Sequence, residues 1–344
     1  MRPVIHKPGA RSRRAPRSIH AFVLFVLSLG PIGSAAQAQP SPLELETKIP
    51  LGTVKGRIDH LAIDLGRKHL FVAELENNSI GIVDLNNGSL LHRISGLEEP
   101  QGVGYIPALD TLVVANGGDG SVRLFRGGDF AATAKMQLGK DADNVRLDAD
   151  TKSVYVGYGA GALAIIDPTG PAKIKDIALP AHPESFQISR DTQQVFVNLP
   201  EAQSIAVIDT HAGRVSQSWS TGNDRGNFAM TLDDSGQRAI VVFRNPPKLS
   251  VRDMQMGAPV AERGTCGDVD DVFFDAKRQR IYVTCGAGAI DVFDARADYA
   301  PMARVATRRG ARTSLFMPGL DRLAVAVRAS DTEPAAVWVY RPVP

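Results

Sequence analysis

Cysteine and tryptophan are scarce in this sequence of 344 residues, which contains two of each and 6% aromatic residues. A catalytic thiol is not indicated, and no Cys-x-x-Cys-His haem motif is present. No Gly-x-Ser-x-Gly elbow occurs, and no motif arranges the Ser, His and Asp residues as a catalytic triad. The sequence is therefore more informative about fold than about chemistry.

Helical periodicity is also missing. After the first 38 residues, no stretch holds a 3.6-residue apolar period over three turns. The apolar runs are instead four to seven residues long, rich in Val, Ile and Phe, and separated by Gly, Asn, Asp and Pro. Runs of this kind are typical of short β-strands joined by tight turns. The sequence predicts an all-β protein.

These runs belong to a unit of about 42 residues that recurs along the chain. The clearest copy, residues 59–96, begins DHLAIDLGRKHLFVAE, continues NNSIGIVDLNNG and ends SLLHRISG. The turn after the first run gives seven equivalent positions, spaced 41 to 43 residues apart: Asp64, Pro107, Asp148, Arg190, Asp233, Asp275 and Pro318. The end of the third run gives a second series of seven: Asp84, Arg126, Asp167, Asp209, Asp253, Asp294 and Arg341. We therefore predict a seven-bladed β-propeller with four antiparallel strands per blade.

The seventh unit lacks a fourth strand. It contains ARTSLFMP, RLAVAVRA and AAVWVYRP and reaches residue 344. Residues 43–51 (LELETKIPL) stand before the first unit and have the character of an outer strand. We expect this segment to pair beside residues 336–340 and complete the last blade, because closure removes an open sheet edge.

The first 38 residues have the character of an export signal. They carry six Lys or Arg residues and no acid, and they include an apolar run at residues 21–29 and the small-residue motif Ala36-Gln37-Ala38. That run is too short to cross a bilayer as a helix. We expect residues 1–38 to be a signal peptide and residues 39–344 to be the propeller domain of a periplasmic or secreted protein, with no transmembrane segment in the mature chain. The pair Arg13-Arg14 leaves the export route open, and cleavage of the signal is also open.

Charge does not support nucleic-acid binding. The chain has 39 basic and 37 acidic residues, a net charge of +2. Six of the 39 basic residues lie in the signal, so 33 remain against 37 acids and the net charge becomes −4. Nucleic-acid binding needs a clustered basic face. The expected partner is a small polar ligand or another protein, and the expected state is a monomer.

Polar residues concentrate in the segments that open the units. Each opening joins the outer strand of one blade to the inner strand of the next, so all seven openings converge on one mouth of the central channel. The candidate ligand-binding residues are Asp59, His60, Gln101, Asp143, Asn144, His182, Glu184, Asn227, Asp270, Asp271 and Arg312. Such groups suit a divalent metal such as Ca or Zn, a sugar or a peptide. The alternative for any one of them is that it satisfies backbone groups at a strand start.

Cys266 and Cys285 flank the first two strands of the sixth unit. Cys266 precedes the inner strand, and Cys285 ends the antiparallel second strand. With the turn centred near Lys277 and Arg278, Cys285 would face about residue 270, so the two cysteines are close without being in register. Because exported proteins meet an oxidising compartment, we expect a disulfide between them.

The repeats IAVIDT, RIYVTCG and LFVAELENNSIGIVDL resemble the YVTN-type repeats of YncE-like β-propeller proteins. The openings EPQG, DADNVR, HPESFQ, GDVDD and GARTSLF resemble a bacterial exported branch of that group. The likeness covers all seven units. Where the family repeat ends in Tyr-Val-Thr-Asn, this chain has Phe-Val-Ala-Glu, Val-Val-Ala-Asn and Tyr-Val-Thr-Cys. The resemblance implies an exported seven-bladed propeller and implies no reaction.

Three functions stay open at the level of sequence. The leading hypothesis is a non-catalytic exported binding or scaffold protein that uses the channel mouth or the blade edges. The alternative is a metal-dependent hydrolase of the gluconolactonase-like propeller type, which rests on analogy because the motif of that six-bladed family does not align here. The third is a dehydrogenase subunit that binds a quinone cofactor, although the expected Trp-rich pattern is missing and only Trp219 and Trp338 occur.

Overall fold

The computed structural model describes residues 41–148 and 150–344, so the predicted signal peptide lies outside the described residues. The described chain forms seven four-stranded antiparallel sheets. The inner strand of each sheet contacts that of the next, and the first contacts the seventh, so the sheets form a ring. The prediction of a seven-bladed β-propeller with four strands per blade is confirmed.

Each blade has four strands, which follow one another outward from the central channel. The inner strands are β2 (Leu61–Asp64), β6 (Pro100–Ile106), β10 (Asp143–Leu147), β14 (Phe186–Ser189), β18 (Arg225–Asp233), β22 (Val269–Asp275) and β26 (Ser314–Met317). The second strands are β3 (His69–Glu74), β7 (Thr111–Asn116), β11 (Val154–Tyr158), β15 (Gln194–Leu199), β19 (Arg238–Asn245), β23 (Arg280–Cys285) and β27 (Arg322–Val327). The third strands are β4 (Ser79–Asp84), β8 (Ser121–Arg126), β12 (Ala162–Asp167), β16 (Ser204–Asp209), β20 (Pro247–Asp253), β24 (Ala289–Asp294) and β28 (Ala335–Pro342). The outer strands are β5 (Ser89–Ser95), β9 (Ala132–Gln137), β13 (Ala172–Ala178), β17 (Arg214–Ser220), β21 (Pro259–Gly264), β25 (Ala300–Ala306) and β1 (Leu43–Gly52).

Helix is confined to short 3₁₀ segments in the described part of the chain. These are Leu75–Asn77, Pro107–Leu109 and Ala295–Ala297. Across residues 41–148 and 150–344, no helix has the length and apolar character needed to cross a membrane.

The aspartates that mark the repeat close its turns. Asp64 Oδ1 accepts hydrogen bonds from the backbone N–H groups of Gly66 and Arg67, at 2.9 and 3.2 Å. Asp84 does the same with two N–H groups of its own turn. Equivalent carboxylate-to-backbone bonds occur at Asp148, Asp167, Asp209, Asp233, Asp253, Asp275 and Asp294. Aspartate recurs at these positions because its short carboxylate satisfies the turn locally.

The hydrophobic core lies between neighbouring blades. In β3 and β7 every residue after the first is buried, whereas β9 and β13 are largely exposed. The second and third strands pack on both faces, so their sequences are nearly continuous apolar runs. The outer strands face solvent on one side, which explains their weaker pattern in the sequence.

Strands β1 and β28 close the ring. They pair antiparallel from Leu43 opposite Pro342 to Gly52 opposite Ala335, so β1 is the outer strand of the seventh blade. The predicted pairing of residues 43–51 beside residues 336–340 is confirmed. Ile49 is 1% exposed, so the seam buries apolar side chains in addition to forming a hydrogen-bonded ladder.

The structure joins Cys266 and Cys285 in a disulfide, with the two Cα atoms 5.8 Å apart. That separation lies in the range that disulfide geometry requires. In the ladder between β22 and β23, Cys285 pairs with Val269, one residue from the position expected from the sequence. Both cysteines are buried in the core that the fifth and sixth blades share. The bond therefore anchors the opening of the sixth blade to that blade's second strand.

Removal of residues 330–344 should abolish cooperative unfolding. The deletion takes away β28, which pairs with both β27 and β1, and so opens the ring at the seam. Urea denaturation followed by circular dichroism measures the effect. The control Arg341→Ala removes only an exposed ion pair with Glu44, and it should change the free energy of unfolding by less than about 0.5 kcal/mol. A truncated protein with a wild-type transition would contradict the closure argument.

Candidate functional site at the channel mouth

A pocket of about 130 Å³ lies at one mouth of the central channel. It receives side chains from all seven blades. The lining residues are Arg57, Asp59, His60, Gln101, Asp141, Asp143, Asn144, His182, Glu184, Ser185, Phe228, Arg244, Asp270 and Arg312. All of them except Phe228 are polar or charged. The pocket is smaller than typical sites for drug-sized ligands, which are about 300–1,000 Å³, so it suits a ligand of few atoms.

Irregular starts of the inner strands aim side chains at this pocket. In β10, β18 and β22 the pairing register shifts by one residue near the strand start. The extra residues are Asn144, Phe228 and Asp270, and all three line the pocket. In β6 a similar irregularity includes Gln101. A β-bulge leaves its extra residue outside the ladder and redirects the side chain. The repeated bulge is therefore the local device that builds the mouth.

His60 lies between carboxylates from three different blades. Its Nε2 is 3.8 Å from Asp59 Oδ1 and 3.9 Å from Asp143 Oδ1, and its Nδ1 is 3.8 Å from Asp271 Oδ1. Burial lowers the pKa of His60, but the charges of Asp59, Asp271 and Asp143 outweigh burial and raise the pKa to about 9. His60 is therefore an imidazolium at neutral pH and links the first, third and sixth blades electrostatically.

Arginines on the other side of the mouth are paired with aspartates. Arg244 contacts Asp270 Oδ1, and Arg312 Nε lies 2.5 Å from Asp270 Oδ2, so Asp270 lies between two guanidinium groups. Arg312 also donates to Asp268 at 3.0 Å. The guanidinium of Arg244 lies 3.8 Å from the centre of the Phe228 ring, a cation–π arrangement. These contacts hold both cations in place and neutralise them.

Other carboxyl groups of the mouth have raised pKa values. Burial raises the pKa of Glu184 to about 8, and the neighbouring charges of Asp143 and Asp270 add to the effect. Burial likewise raises the pKa of Asp59 to about 7 and that of Asp270 to about 6. Burial raises these pKa values because a poorly solvated site disfavours the charged form. At Glu184 the largest charge effects come from other carboxylates, whereas at Asp270 they come from Arg244 and Arg312 and lower the pKa.

The third and fourth blades present hydrogen-bond acceptors, here called the acceptor wall and defined as Asp143, Asn144, His182 and Glu184. Asn144 is 2% exposed, and its Oδ1 accepts no hydrogen bond from any described residue. His182 Nδ1 donates to the backbone carbonyl of Gly159 at 2.7 Å. In the neutral imidazole this leaves Nε2 as an acceptor. The wall therefore has acceptors that no donor of the described chain satisfies.

Most of the residues predicted from the sequence line the pocket. They are Asp59, His60, Gln101, Asp143, Asn144, His182, Glu184, Asp270 and Arg312. Asp271 is not in the lining and contacts His60 instead. Asn227 is fully buried, and its Nδ2 donates to Asn198 Oδ1 at 3.2 Å. The prediction for Asn227 is corrected, because its side chain joins the fourth and fifth blades and does not line the mouth.

Five further lining residues were not predicted: Arg57, Asp141, Ser185, Phe228 and Arg244. Arg244 comes from the end of β19, a second strand. Second strands run antiparallel to inner strands, so their ends reach the mouth where the inner strands begin. Residues outside the blade openings can therefore line the mouth as well. The alternating strand direction of the repeat was the signal that could have found Arg244.

A metal centre was one expectation for the mouth. Within residues 41–148 and 150–344, no group of three or more His, Cys, Asp or Glu side chains is arranged to hold a metal ion. The aspartates instead surround the His60 imidazolium or pair with Arg244 and Arg312. In the described part of the chain, a Ca or Zn ion at the mouth therefore lacks a ligand set of three such side chains.

The fold and the mouth together define a seven-bladed β-propeller with a charged pocket at one end of its channel. No family model matches the sequence, and no curated protein matches it. Among solved structures, the chain is similar to one titled Kuenenia stuttgartiensis hydrazine synthase, with a TM-score of 0.70 and 17% sequence identity. The match covers 80% of this chain and 94% of the other. At this identity the similarity shows the fold alone.

Glu184→Gln should make the protein more stable at alkaline pH. Because burial raises the pKa of Glu184 from 4.5 to about 8, the stability linked to this group is present below about pH 4.5 and is lost as the pH rises through about 8. Glutamine does not ionise, so above pH 8 the variant should exceed wild type in free energy of unfolding by on the order of 1 kcal/mol.

Urea denaturation at about pH 5 and about pH 9 measures this difference. Glu201→Gln is the control, because Glu201 is exposed in a turn, and it should leave stability unchanged at both pH values. A Glu184→Gln protein that loses stability at the higher pH would show that the carboxylate is stabilised in the folded state, contrary to the raised pKa.

Proposed function

We propose that this protein is an exported β-propeller binding protein that holds a small polar ligand in the channel-mouth pocket. The observation that carries the proposal is the pocket itself, which has a volume of about 130 Å³ and a lining of polar side chains from every blade. Burying polar groups without partners is unfavourable. Asn144 Oδ1 has no partner among the described residues, and a ligand that donates hydrogen bonds would supply one.

We also propose that the chain belongs with the YVTN-type, YncE-like propellers. The support comes from the burial of side chains as well as from the resemblance of the repeats. The repeat position that is Asn in the family ends the second strand, where this chain buries Glu74 and Asn116 completely. Asn116 Nδ2 donates to the backbone carbonyl of Ser121 at the start of the third strand. A buried polar residue at this position thus satisfies the turn into the third strand, which accounts for its recurrence.

The arrangement of charges favours binding over the alternative of a metal-dependent hydrolase. A hydrolytic metal needs several unprotonated ligands around one open coordination position. His60 is held as an imidazolium, and Asp270 lies between Arg244 and Arg312. Metal analysis of protein purified without chelator discriminates the two functions. One tightly held equivalent of a divalent metal would favour the hydrolase.

We propose that residues 1–38 direct the chain to the periplasm. The support is the basic segment, the apolar run and the motif Ala36-Gln37-Ala38. The bond between Cys266 and Cys285 adds to it, because disulfides persist in oxidising compartments. The mature protein is proposed to be a monomer, which size-exclusion chromatography with light scattering tests.

Expression of the full chain in a Gram-negative host should yield a periplasmic protein that begins at Gln39. Signal cleavage after Ala38 predicts this N-terminus, and intact-mass measurement of the periplasmic fraction checks it. Thiol titration of the same material under denaturing conditions should find no free cysteine. Cytoplasmic protein of full mass with both thiols free would contradict the export proposal.

A screen of small polar compounds should find at least one class that raises the melting temperature of the wild-type protein, because binding to the folded state stabilises it. The panel includes amines, polyols, sugars and hydroxy acids. The combined variant His182→Ala, Glu184→Gln and Asp270→Asn should remain folded and lose the shift. His211→Ala, an exposed histidine on a turn at the opposite end of the fourth blade, is the control. A shift that survives the combined variant would move the site to the blade edges.

A further inference from the structure

The ionisable groups around the mouth do not balance. Seven carboxyl groups surround it: Asp59, Asp141, Asp143, Glu184, Asp268, Asp270 and Asp271. Five cations face them when His60 is protonated: Arg57, His60, Arg146, Arg244 and Arg312. Five cations against seven carboxylates leave a charge of −2 if all groups ionise. Without the more exposed side chains of Asp141, Asp268 and Arg57, four cations face five carboxylates and a charge of −1 remains. Excess negative charge in a poorly solvated site calls for protons or for a bound cation.

The excess lies on one side of the pocket. On the side of the fifth to seventh blades, Asp270 contacts Arg244 and Arg312 directly. On the side of the fourth blade, Glu184 has no ion-pair partner among the described residues, and its carboxyl group feels the negative charges of Asp143, Asp270 and Asp141. Arg244 is the cation that opposes this effect. The position that lacks positive charge is therefore next to Glu184.

The pocket lining around the acceptor wall also lacks hydrogen-bond donors. Asn144 is 2% exposed and lines the pocket, and its Oδ1 accepts no hydrogen bond within the described chain. The Nδ1 hydrogen of His182 is committed to the Gly159 carbonyl. An alkylammonium group carries one positive charge and three N–H donors, like the side chain of lysine. It matches the acceptor wall in both charge and hydrogen bonding.

We infer that the ligand of the mouth pocket carries a primary ammonium group, held by the acceptor wall formed by Asp143, Asn144, His182 and Glu184. This inference rests on the proposed function and specifies the ligand chemistry of the same pocket. An ammonium group can donate hydrogen bonds to acceptors spread along a wall, whereas a metal needs ligands that converge on one point. No such convergence of His, Cys, Asp or Glu occurs within residues 41–148 and 150–344.

Isothermal titration calorimetry with matched probes tests the inference. Ethanolamine and 1,4-diaminobutane supply the ammonium group, and ethylene glycol and 1,4-butanediol are the neutral counterparts of similar size. The amines should bind to the wild-type protein and the diols should not. Glu184→Gln should weaken amine binding at least about tenfold, the effect of losing one charge-assisted hydrogen bond. His211→Ala should bind the amines as wild type does.

The pH dependence supplies a second readout. Glu184 must be ionised to pair with the ammonium group, and its pKa is raised to about 8 by burial and by the charges of Asp143, Asp270 and Asp141, against Arg244. Amine affinity should therefore rise between about pH 6 and about pH 8.5, and binding near pH 7 should release protons. Titration in two buffers of different ionisation enthalpy measures this release. In Glu184→Gln the release should be lost.

The outcomes separate the inference from the proposed function. Diols that bind as tightly as amines, or amine binding that is unaffected by Glu184→Gln, would overturn the inference. Sugars or hydroxy acids that bind at the mouth while amines do not would also overturn it and would leave the proposed function standing. Displacement of the amines by stoichiometric Ca²⁺ or Zn²⁺ would identify a metal site. It would contradict the inference that the ligand carries an ammonium group. If no compound binds, both proposals fail.

Discussion

Closure of the ring by β1 and β28 is the constraint on which the rest of the structure depends. The second and third strands of each blade bury apolar side chains on both faces, so a blade without two neighbours would expose its core. Because β1 precedes the first blade in the chain and completes the seventh, one segment holds both ends of the ring together. Arg93 of the first blade reinforces this seam by donating to the Leu51 carbonyl at 2.6 Å. A closed ring leaves the seven inner strands with one common axis, and their starts meet at one mouth.

Carboxyl groups such as Asp110 and Glu184, at the two ends of the ring, lie in different environments. Away from the mouth, turns of consecutive blades are joined by ion pairs, such as Arg67 with Asp110 at 2.7 Å and Arg278 with Asp321 at 2.6 Å. Hydrogen bonds from these arginines hold the pKa of Asp110 and of Asp321 below the ordinary value. At the mouth, burial raises carboxyl pKa values instead, as for Glu184. Asp110 and Asp321 are thus carboxylates that stabilise the fold, whereas burial of the Glu184 carboxyl group opposes stability when it ionises. Binding sites commonly carry such a local loss of stability.

Much of the fold and part of the mouth followed from the sequence, because both depend on local patterns. The turn aspartates, such as Asp64, recur at the repeat period, so blade number was readable without any knowledge of long-range contacts. Polar openings also identified His60 and Glu184 as mouth residues. Asn227 has the same local character, yet its amide turns toward Asn198 of the neighbouring blade. A polar residue at a strand start has two environments available, and the contacts between blades decide which one it occupies.

The sequence by itself determined the all-β class, the seven blades, the strand that closes them and the end of the channel where polar groups gather. Strand period and turn chemistry are properties of neighbouring residues, so a single chain reveals them. Only the tertiary structure decided that bulges turn Asn144 and Asp270 toward the pocket, that Arg244 reaches it from a second strand, and that His60 is held as a cation. Charge state and pairing depend on distances between groups dozens of residues apart. A repeat period carries no information about those distances, because each blade places a different side chain at the same position.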